Sequence, residues 1–420
     1  MKKLLTLLVA AIMAVACCFG LIACGDNGGN GNEEKAGVNK EDIKVGFIFL
    51  HDDSSSYDKN FIDAAKDVAT ELGLKDEQVI IKTGIPEGEE CTAAAKELVN
   101  EGCNIVFADS FGHEAYLIPV ARDNADVQFC HATGTMAHTE GLANLHNAFA
   151  SIYEGRFLAG IAAGLKLYEL NSEKAESEQN WKIGYVGAFT FAEVMSGYTS
   201  YFLGVQYALN QKEAGLGDKL NMEVTFTGSW YDLDGEKAAA ERLIANGCAI
   251  ISGHADSDGV PNACEENNIP NVFYNGTHNK SVYLAACRIN WRPYFKYIIN
   301  QVIAGEKIAT DWTGTIATGS VEVLSIGDIA AEGTQEMINS VKAKLSDGSL
   351  KVFDVDTFMV GGAKLTSFMA DVDSDAAYTP DTEIIKTAGS ITYVAESEFR
   401  SAPYFNGEID RITLLDRNYG

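Results

Sequence analysis

Short apolar runs of strand length alternate with amphipathic, helix-spaced segments along most of this chain. In the first half, Lys44-Val45-Gly46-Phe47-Ile48-Phe49 reads as a buried strand and Asn60 to Leu72 as a helix; Val79-Ile80-Ile81 reads as the next strand. A helix around Ile118 to Asp123 then precedes a strand at Val127-Gln128-Phe129-Cys130. The second half repeats the pattern. Lys182-Ile183-Gly184-Tyr185-Val186 is a strand, Val194 to Leu209 a helix, and Glu223-Val224-Thr225-Phe226 and Asn271-Val272-Phe273-Tyr274 are strands. Between them lies an internal repeat. Ala94 to Val106 and Ala239 to Ile251 each read as a helix, a stopping glycine (Gly102, Gly247), a cysteine (Cys103, Cys248) and a strand.

Strands alternating with helices imply an α/β fold: parallel sheets joined by right-handed crossovers, in two Rossmann-like lobes. Ligands of such sheets sit outside the carboxyl ends of the strands. The polar loops after Phe49, Phe107, Val186, Phe226, Ser252 and Tyr274 all lie at such ends, so facing lobes would line one cleft with them. The expected division is a segment 1–23 that is removed, a flexible tether 24–41, a first lobe of 42–150 and 276–308, a second lobe of 151–275 and 309–355, and an extension 356–420 packed on the lobes. A helix from Ser151 to Leu167 carries the chain across, and Trp291 to Ile303 brings it back. Asn171 to Asn180 reads as a surface loop, and short strands are expected near Ser390 to Val394.

The amino-terminal pattern differs. Met1-Lys2-Lys3 is basic, Leu4 to Ala23 is apolar, and Gly25 to Lys35 is almost wholly Gly, Asn, Asp and Glu. A basic start and an apolar stretch ending in small residues form an export signal. Leu21-Ile22-Ala23-Cys24 resembles the lipobox of bacterial lipoproteins, which implies a lipid on Cys24, a polar tether and an extracytoplasmic, membrane-anchored protein. No second apolar stretch is long enough to span a bilayer. The chain has 420 residues, 46% hydrophobic and 22% charged, with a net charge of −27. These are globular values, and the acidity excludes nucleic acid as a partner. Of nine cysteines, six lie outside the signal and the anchor Cys24: Cys91, Cys103, Cys130, Cys248, Cys264 and Cys287. Their wide spacing suits buried free thiols better than a disulfide framework.

Several segments together resemble the basic membrane protein family. These are His131-Ala132-Thr133-Gly134, Tyr153 to Gly160, Ile183 to Phe189 with Glu193-Val194, Trp230-Tyr231-Asp232, and His254-Ala255-Asp256-Ser257. Ser110-Phe111-Gly112 is similar to the family's first-lobe loop. The resemblance spans about Ile43 to Gly305. It implies a type I periplasmic-binding fold and a lipoprotein that hands a solute to an ABC permease. It also implies a purine nucleobase or nucleoside as ligand, with no cofactor, no metal and a monomeric chain. The binding residues it points to are Tyr57, Ser110, Phe111, Phe189, Trp230, Asp256 and Asn275. Aromatics such as Tyr57 and Phe189 would stack on the base, and Asp256 would accept hydrogen bonds from ring N–H groups or ribose hydroxyls. Read without the family, a loop aromatic serves equally as a packing lid, and Asp256 equally as a helix cap for the segment after Gly259.

Other readings compete. A lipoprotein receptor of the same fold would sense its ligand rather than deliver it, and a sugar is another candidate solute. The expected role is binding, not catalysis. Nevertheless, Ala108-Asp109-Ser110-Phe111-Gly112 is close to a GxSxG nucleophile elbow, for which Asp256 and His278 could complete a triad. His131, His138 and His146 fit no HExxH spacing. Asp371 to Asp375 looks like a calcium loop, but Ala376 and Thr382 stand where an EF-hand needs Gly and Glu.

Overall fold

The strands assemble into two sheets of nearly the same design. The computed structural model describes residues 37–372 and 379–417. Cys24, most of the tether and the centre of the acidic loop at 373–376 therefore lie outside the described residues. Residues 36–420 form one compact unit.

In the first lobe the strands are β1 (Val45–Ile48), β2 (Val79–Lys82), β3 (Ile105–Ala108), β4 (Gln128–Ala132) and β5 (Leu145–Ala150). Their helices are α1 (Ser56–Leu72), α2 (Glu89–Asn100), α3 (Glu114–Asp123) and the short α4 (Ala137–Glu140). The second lobe uses β6 (Lys182–Gly187), β7 (Asn221–Phe226), β8 (Ile251–His254), β9 (Asn271–Tyr274) and β10 (Tyr283–Ile289). Its helices are α5 (Ile152–Asn171), α6 (Ala192–Lys212), α7 (Leu233–Ala245) and α8 (Gly259–Asn267). The first sheet runs β2-β1-β3-β4-β5 and the second β7-β6-β8-β9-β10, all parallel. Each is the doubly wound order, whose strand ends open on one crevice.

The internal repeat holds to the hydrogen bond. In α2 the Cys103 N–H reaches the Leu98 carbonyl (3.0 Å) and the Gly102 N–H that of Val99 (3.0 Å). In α7 Cys248 reaches Leu243 (3.1 Å) and Gly247 reaches Ile244 (2.9 Å). Both are Schellman caps, with Gly102 at φ 85° and Gly247 at φ 87°, where only glycine is unstrained. Cys103 and Cys248 then tuck under the helix as small hydrophobes, and all six described cysteines are free and buried.

The expected lobe boundaries need correcting. The chain crosses first after Ala150, into α5. It returns only after Ile289, because β10 pairs with β9 in the second sheet; residues 283–289 thus do not belong to the first lobe. Helix α9 (Arg292–Ala304) then packs on α1, and β11 (Asp311–Gly314) pairs with β5, so 311–314 stay in the first lobe. The chain leaves again after Gly314, and β12 (Val321–Val323) pairs antiparallel with β10. Helix α10 (Thr334–Ser346) lies against α5. The carboxy-terminal segment touches both lobes. Its strand Ile412–Leu414 extends the second sheet beside β7. Phe353 meets Tyr153 and Phe405, at 5.3 Å each. On the other side the Ser401 N–H donates to Asp311 in β11 (2.8 Å), and the Thr313 hydroxyl donates to the Ser397 carbonyl (3.3 Å).

Helices α5 and α6 approach so closely that backbone meets backbone. A Cβ at Gly204 would drive into the Phe157 carbonyl, and one at Gly160 into that of Tyr201. Gly204→Ala should therefore lower unfolding free energy by about 2–3 kcal/mol, measured by chemical denaturation; an unchanged midpoint would contradict this packing.

Candidate functional site

Each strand end contributes one turn to the cleft, and buried polar bonds fix each turn. After β1, Ser55 caps α1 and donates its hydroxyl to the Asp58 carboxylate (2.6 Å), which also accepts the His51 backbone N–H (2.7 Å). Tyr57, on the first turn of α1, donates its hydroxyl to the Asp109 carbonyl (2.8 Å). After β3, the Asp109 carboxyl accepts the Leu50 N–H (3.1 Å) and faces Asp58. Burial and the Asp58 charge push Asp109 well above the usual carboxylate range. Burial pushes Asp58 up too, but bonds from His51 and Ser55 outweigh it and hold Asp58 low. The two carboxyls are thus shifted in opposite directions, Asp109 toward its protonated form and Asp58 toward its ionised one.

Ser110 is bound on every side. Its hydroxyl donates to Glu87 (2.5 Å), which also accepts the Gly112 N–H (2.8 Å). Its N–H donates to His113 Nδ1 (3.3 Å), and its carbonyl accepts from His131 Nε2 (2.7 Å). Burial pushes both histidines down to about 4, so both are neutral. Thr133, after β4, sits at φ 62°, a left-handed conformation that costs a branched residue energy.

From the second lobe, the turn after β6 supplies Phe189 and Phe191. They stack on each other (5.1 Å), Phe189 meets Trp230 edge-on (5.1 Å), and Phe191 reaches across to Phe111 of the first lobe (5.1 Å). After β8, the Asp256 N–H donates to the Trp230 carbonyl (2.8 Å) and the Asp256 carbonyl accepts the Ser56 N–H of the first lobe (3.3 Å). Burial and the Asp58, Glu236 and Glu193 carboxylates raise the Asp256 carboxyl far above its ordinary range, against the pull of Arg156.

Between these turns lies a narrow pocket with about 40 Å³ of free space. Leu50, Tyr57, Ser110, Phe111, Thr133 and Phe149 line it from the first lobe. Glu193, Trp230, His254, Asp256 and Tyr274 line it from the second. Lobes that share one pocket can hold a solute only while closed on it.

A family model described as ABC transporter substrate-binding protein PnrA-like (Bmp) matches residues 45–352. The chain belongs to the Bmp family. A purine-binding protein of Brucella abortus is 26% identical over 75% of this chain and 84% of its own length. A Haloferax volcanii protein named for glucose binding in an ABC transporter is 24% identical over 61% of this chain and 60% of its own. The solved structure of an ABC transporter solute-binding protein from Conexibacter woesei superposes with a TM-score of 0.58 at 18% identity. It covers 74% of this chain and 98% of its own. These likenesses give the chain the type I periplasmic-binding fold of ABC solute-binding proteins.

Of the residues singled out in this Bmp chain, Tyr57, Ser110, Phe111, Trp230 and Asp256 line the pocket, and two do not. Phe189 stands behind Trp230 and Phe191 as their support. Asn275, at φ 62°, lies where the lobes meet: Asn60 of α1 approaches its side-chain oxygen (3.5 Å) and donates to the Ile289 carbonyl (2.8 Å). Asp256 is not the cap of α8; Asp258 holds that position, and the Ser257 hydroxyl accepts the Gly259 N–H (3.1 Å). Glu193, His254, Thr133 and Tyr274 went unnoticed as wall residues although they stand in or beside the quoted motifs. Phe149 lies next to the end of β5, a strand that the hydrophobic pattern does not reveal. The triad reading fails on geometry: His278 is bound to Asn271 (2.9 Å) and packed between Phe273 and Tyr283, while Ser110 serves Glu87. His131, His138 and His146 each bond elsewhere, to Ser110, Asp311 and Ala309. Among the described residues no helix is long and apolar enough to cross a membrane.

Their opposite shifts make the two first-lobe aspartates unequal. Asp109→Asn, whose amide can still donate to Asp58, should change stability by less than about 1 kcal/mol at pH 7. Asp58→Asn, which removes the charge that three donors face, should cost about 2–3 kcal/mol. Denaturation curves of the two variants check this, and the reverse order would put the proton on Asp58.

Proposed function

We propose that this Bmp-family protein is a lipid-anchored, extracytoplasmic receptor that captures a purine nucleobase or nucleoside between its lobes and delivers it to an ABC permease. Support comes first from the composition of the pocket. A purine is a flat ring edged with donors and acceptors, and it needs aromatic faces with polar groups in its plane. Tyr57, Phe111 and Trp230 supply aromatic surface from both lobes, while Asp256, Glu193 and Ser110 supply polar groups. The Brucella abortus relative, named for purine binding, favours the same ligand class. Closure of the lobes is the working step. The Ser56–Asp256 bond and the Phe111–Phe191 contact exist only when the lobes are together, so a ligand touching both walls favours that state. The lipid on Cys24 would keep the receptor beside its permease, and Gly25 to Lys35 would supply reach.

A sugar is the second reading, favoured by the name of the Haloferax volcanii relative. A thermal-shift series on the unit 36–420 separates the two. A ligand present at about 100 times its Kd should stabilise the fold by about 2.7 kcal/mol. Purine bases or nucleosides should raise the melting temperature and glucose should not; a shift with glucose and none with any purine would replace the purine reading.

A further inference from the structure

The family match ends at residue 352, yet the chain runs on to 417 among the described residues, packed against both lobes. Its hold on the second lobe is broad. Strand Ile412–Leu414 lies parallel to β7 and covers that edge of the second sheet. Arg411 donates to the Gly217 carbonyl and the Gln206 side-chain oxygen, and Asp416 pairs with Arg242 of α7 at 3.2 Å. The Gln206 amide in turn donates to the Thr357 carbonyl (2.6 Å). Phe405 packs among Phe353, Phe358 and Phe368, so the segment has an apolar centre of its own, and Phe353 rests on Tyr153 of α5.

Its hold on the first lobe is narrow and polar. The Ser401 N–H donates to Asp311 (2.8 Å), and the Thr313 hydroxyl donates to the Ser397 carbonyl (3.3 Å). Between these two bonds Arg400 is buried. Its charge is set against Asp311 and Glu114 of the first lobe and against Asp371 and Glu396 of the segment itself. Asp311 begins β11, three residues before Gly314, where the chain crosses. At about 3.3 Å per residue it stands about 10 Å from that crossing. A rotation of the first lobe about the crossings therefore moves Asp311 relative to a segment fixed on the second lobe. A hydrogen bond weakens once its heavy atoms part beyond about 3.2 Å, so the Ser401 bond has little slack. Separating Arg400 from Asp311 and Glu114 also takes a cation from two largely buried carboxyls.

We propose that the carboxy-terminal segment is a strap that limits how far the lobes part: it is fixed to the second lobe and grips the first through Ser397, Arg400 and Ser401, so that full opening requires this grip to break. Of its two holds the grip is the smaller, and it is the one that yields first. The crossings by themselves form a hinge, and the strap adds a stop to it. Rotations small enough for Ser401 to follow Asp311 stay available, so a solute still enters and closure still compacts the protein. The stop is made by residues beyond 352, and it holds whichever solute the cleft takes.

Pulsed electron paramagnetic resonance on the unit 36–420, with no ligand added, tests it. Spin labels at Thr83→Cys and Asp234→Cys sit on exposed turns after β2 and β7, in the sheet edges farthest from the crossings, where opening moves the lobes most. The six native thiols are buried, so the labels attach selectively. Arg400→Met loosens the grip from the strap, and Asp311→Ala removes the Ser401 acceptor from the first lobe. Both variants should melt cooperatively and gain the same component at longer inter-label distance, beyond the range of the otherwise unchanged chain. A distance distribution identical to that chain's in a folded Arg400→Met would overturn the proposal. Should Arg400→Met not fold, Asp311→Ala decides by the same comparison. Failure of every purine to bind would remove the purine reading and leave this result standing, so the two are tested separately.

Discussion

Closing two lobes over a buried pocket brings carboxyl groups from both of them together, and the site is organised around that cost. Asp58 and Asp109 come from the first lobe, and Asp256 and Glu193 from the second. Glu236 stands behind them, pushed up to about 7 mainly by burial. Arg156, which lies on Tyr274 and gives one N–H to the Gly253 carbonyl, offsets only part of this charge. Protons and oriented donors offset the rest. Burial and neighbouring carboxylates push Asp109 and Asp256 toward their protonated forms, and burial holds His113 and His131 neutral so that each ring can donate at one nitrogen. Leaving cations out of the wall is what makes the pocket fit a neutral ring edged with N–H groups.

The scaffold makes this possible by using one unit twice. Glycine at the same place in the first strand of each lobe, Gly46 in β1 and Gly184 in β6, lets a helix leucine, Leu98 or Leu243, settle onto the sheet. The Schellman caps then launch β3 and β8, whose ends carry Ser110 and Asp256. Because both sheets wind in the same order, their loops meet across one crevice. The three chain crossings are tied to one another near the hinge. There, Glu154 at the start of α5 accepts the Ile316 N–H from the β11–β12 crossing (2.7 Å), and burial raises this carboxyl to about 7. The carboxy-terminal segment adds a second tie, through Ser401 to the first sheet and Tyr153 to the Glu396 carbonyl (2.9 Å).

Much of this was legible in the sequence because the central strands of a doubly wound sheet are apolar on both faces, and a glycine stop followed by a buried strand leaves a clear pattern. What escaped were the outer strands. β5 reads Leu-His-Asn-Ala-Phe-Ala, with two polar side chains. β11 and β12 are short, and their ladder partners are remote in sequence, so local periodicity carries no trace of them. For the same reason the lobe boundaries were displaced. At the site, a strand-end position tells which turn reaches the cleft but not which side chain turns inward. Phe189 and Asn275 therefore stand outside the pocket lining, while Glu193 and His254, four residues from Phe189 and two from Asp256, are part of it.

The central claim is that a solute shared by both walls holds the lobes together. Small-angle scattering of the unit 36–420, with and without a saturating purine, tests it most directly. The account predicts a smaller radius of gyration in the bound state, and a bound purine that leaves the scattering curve unchanged would contradict it.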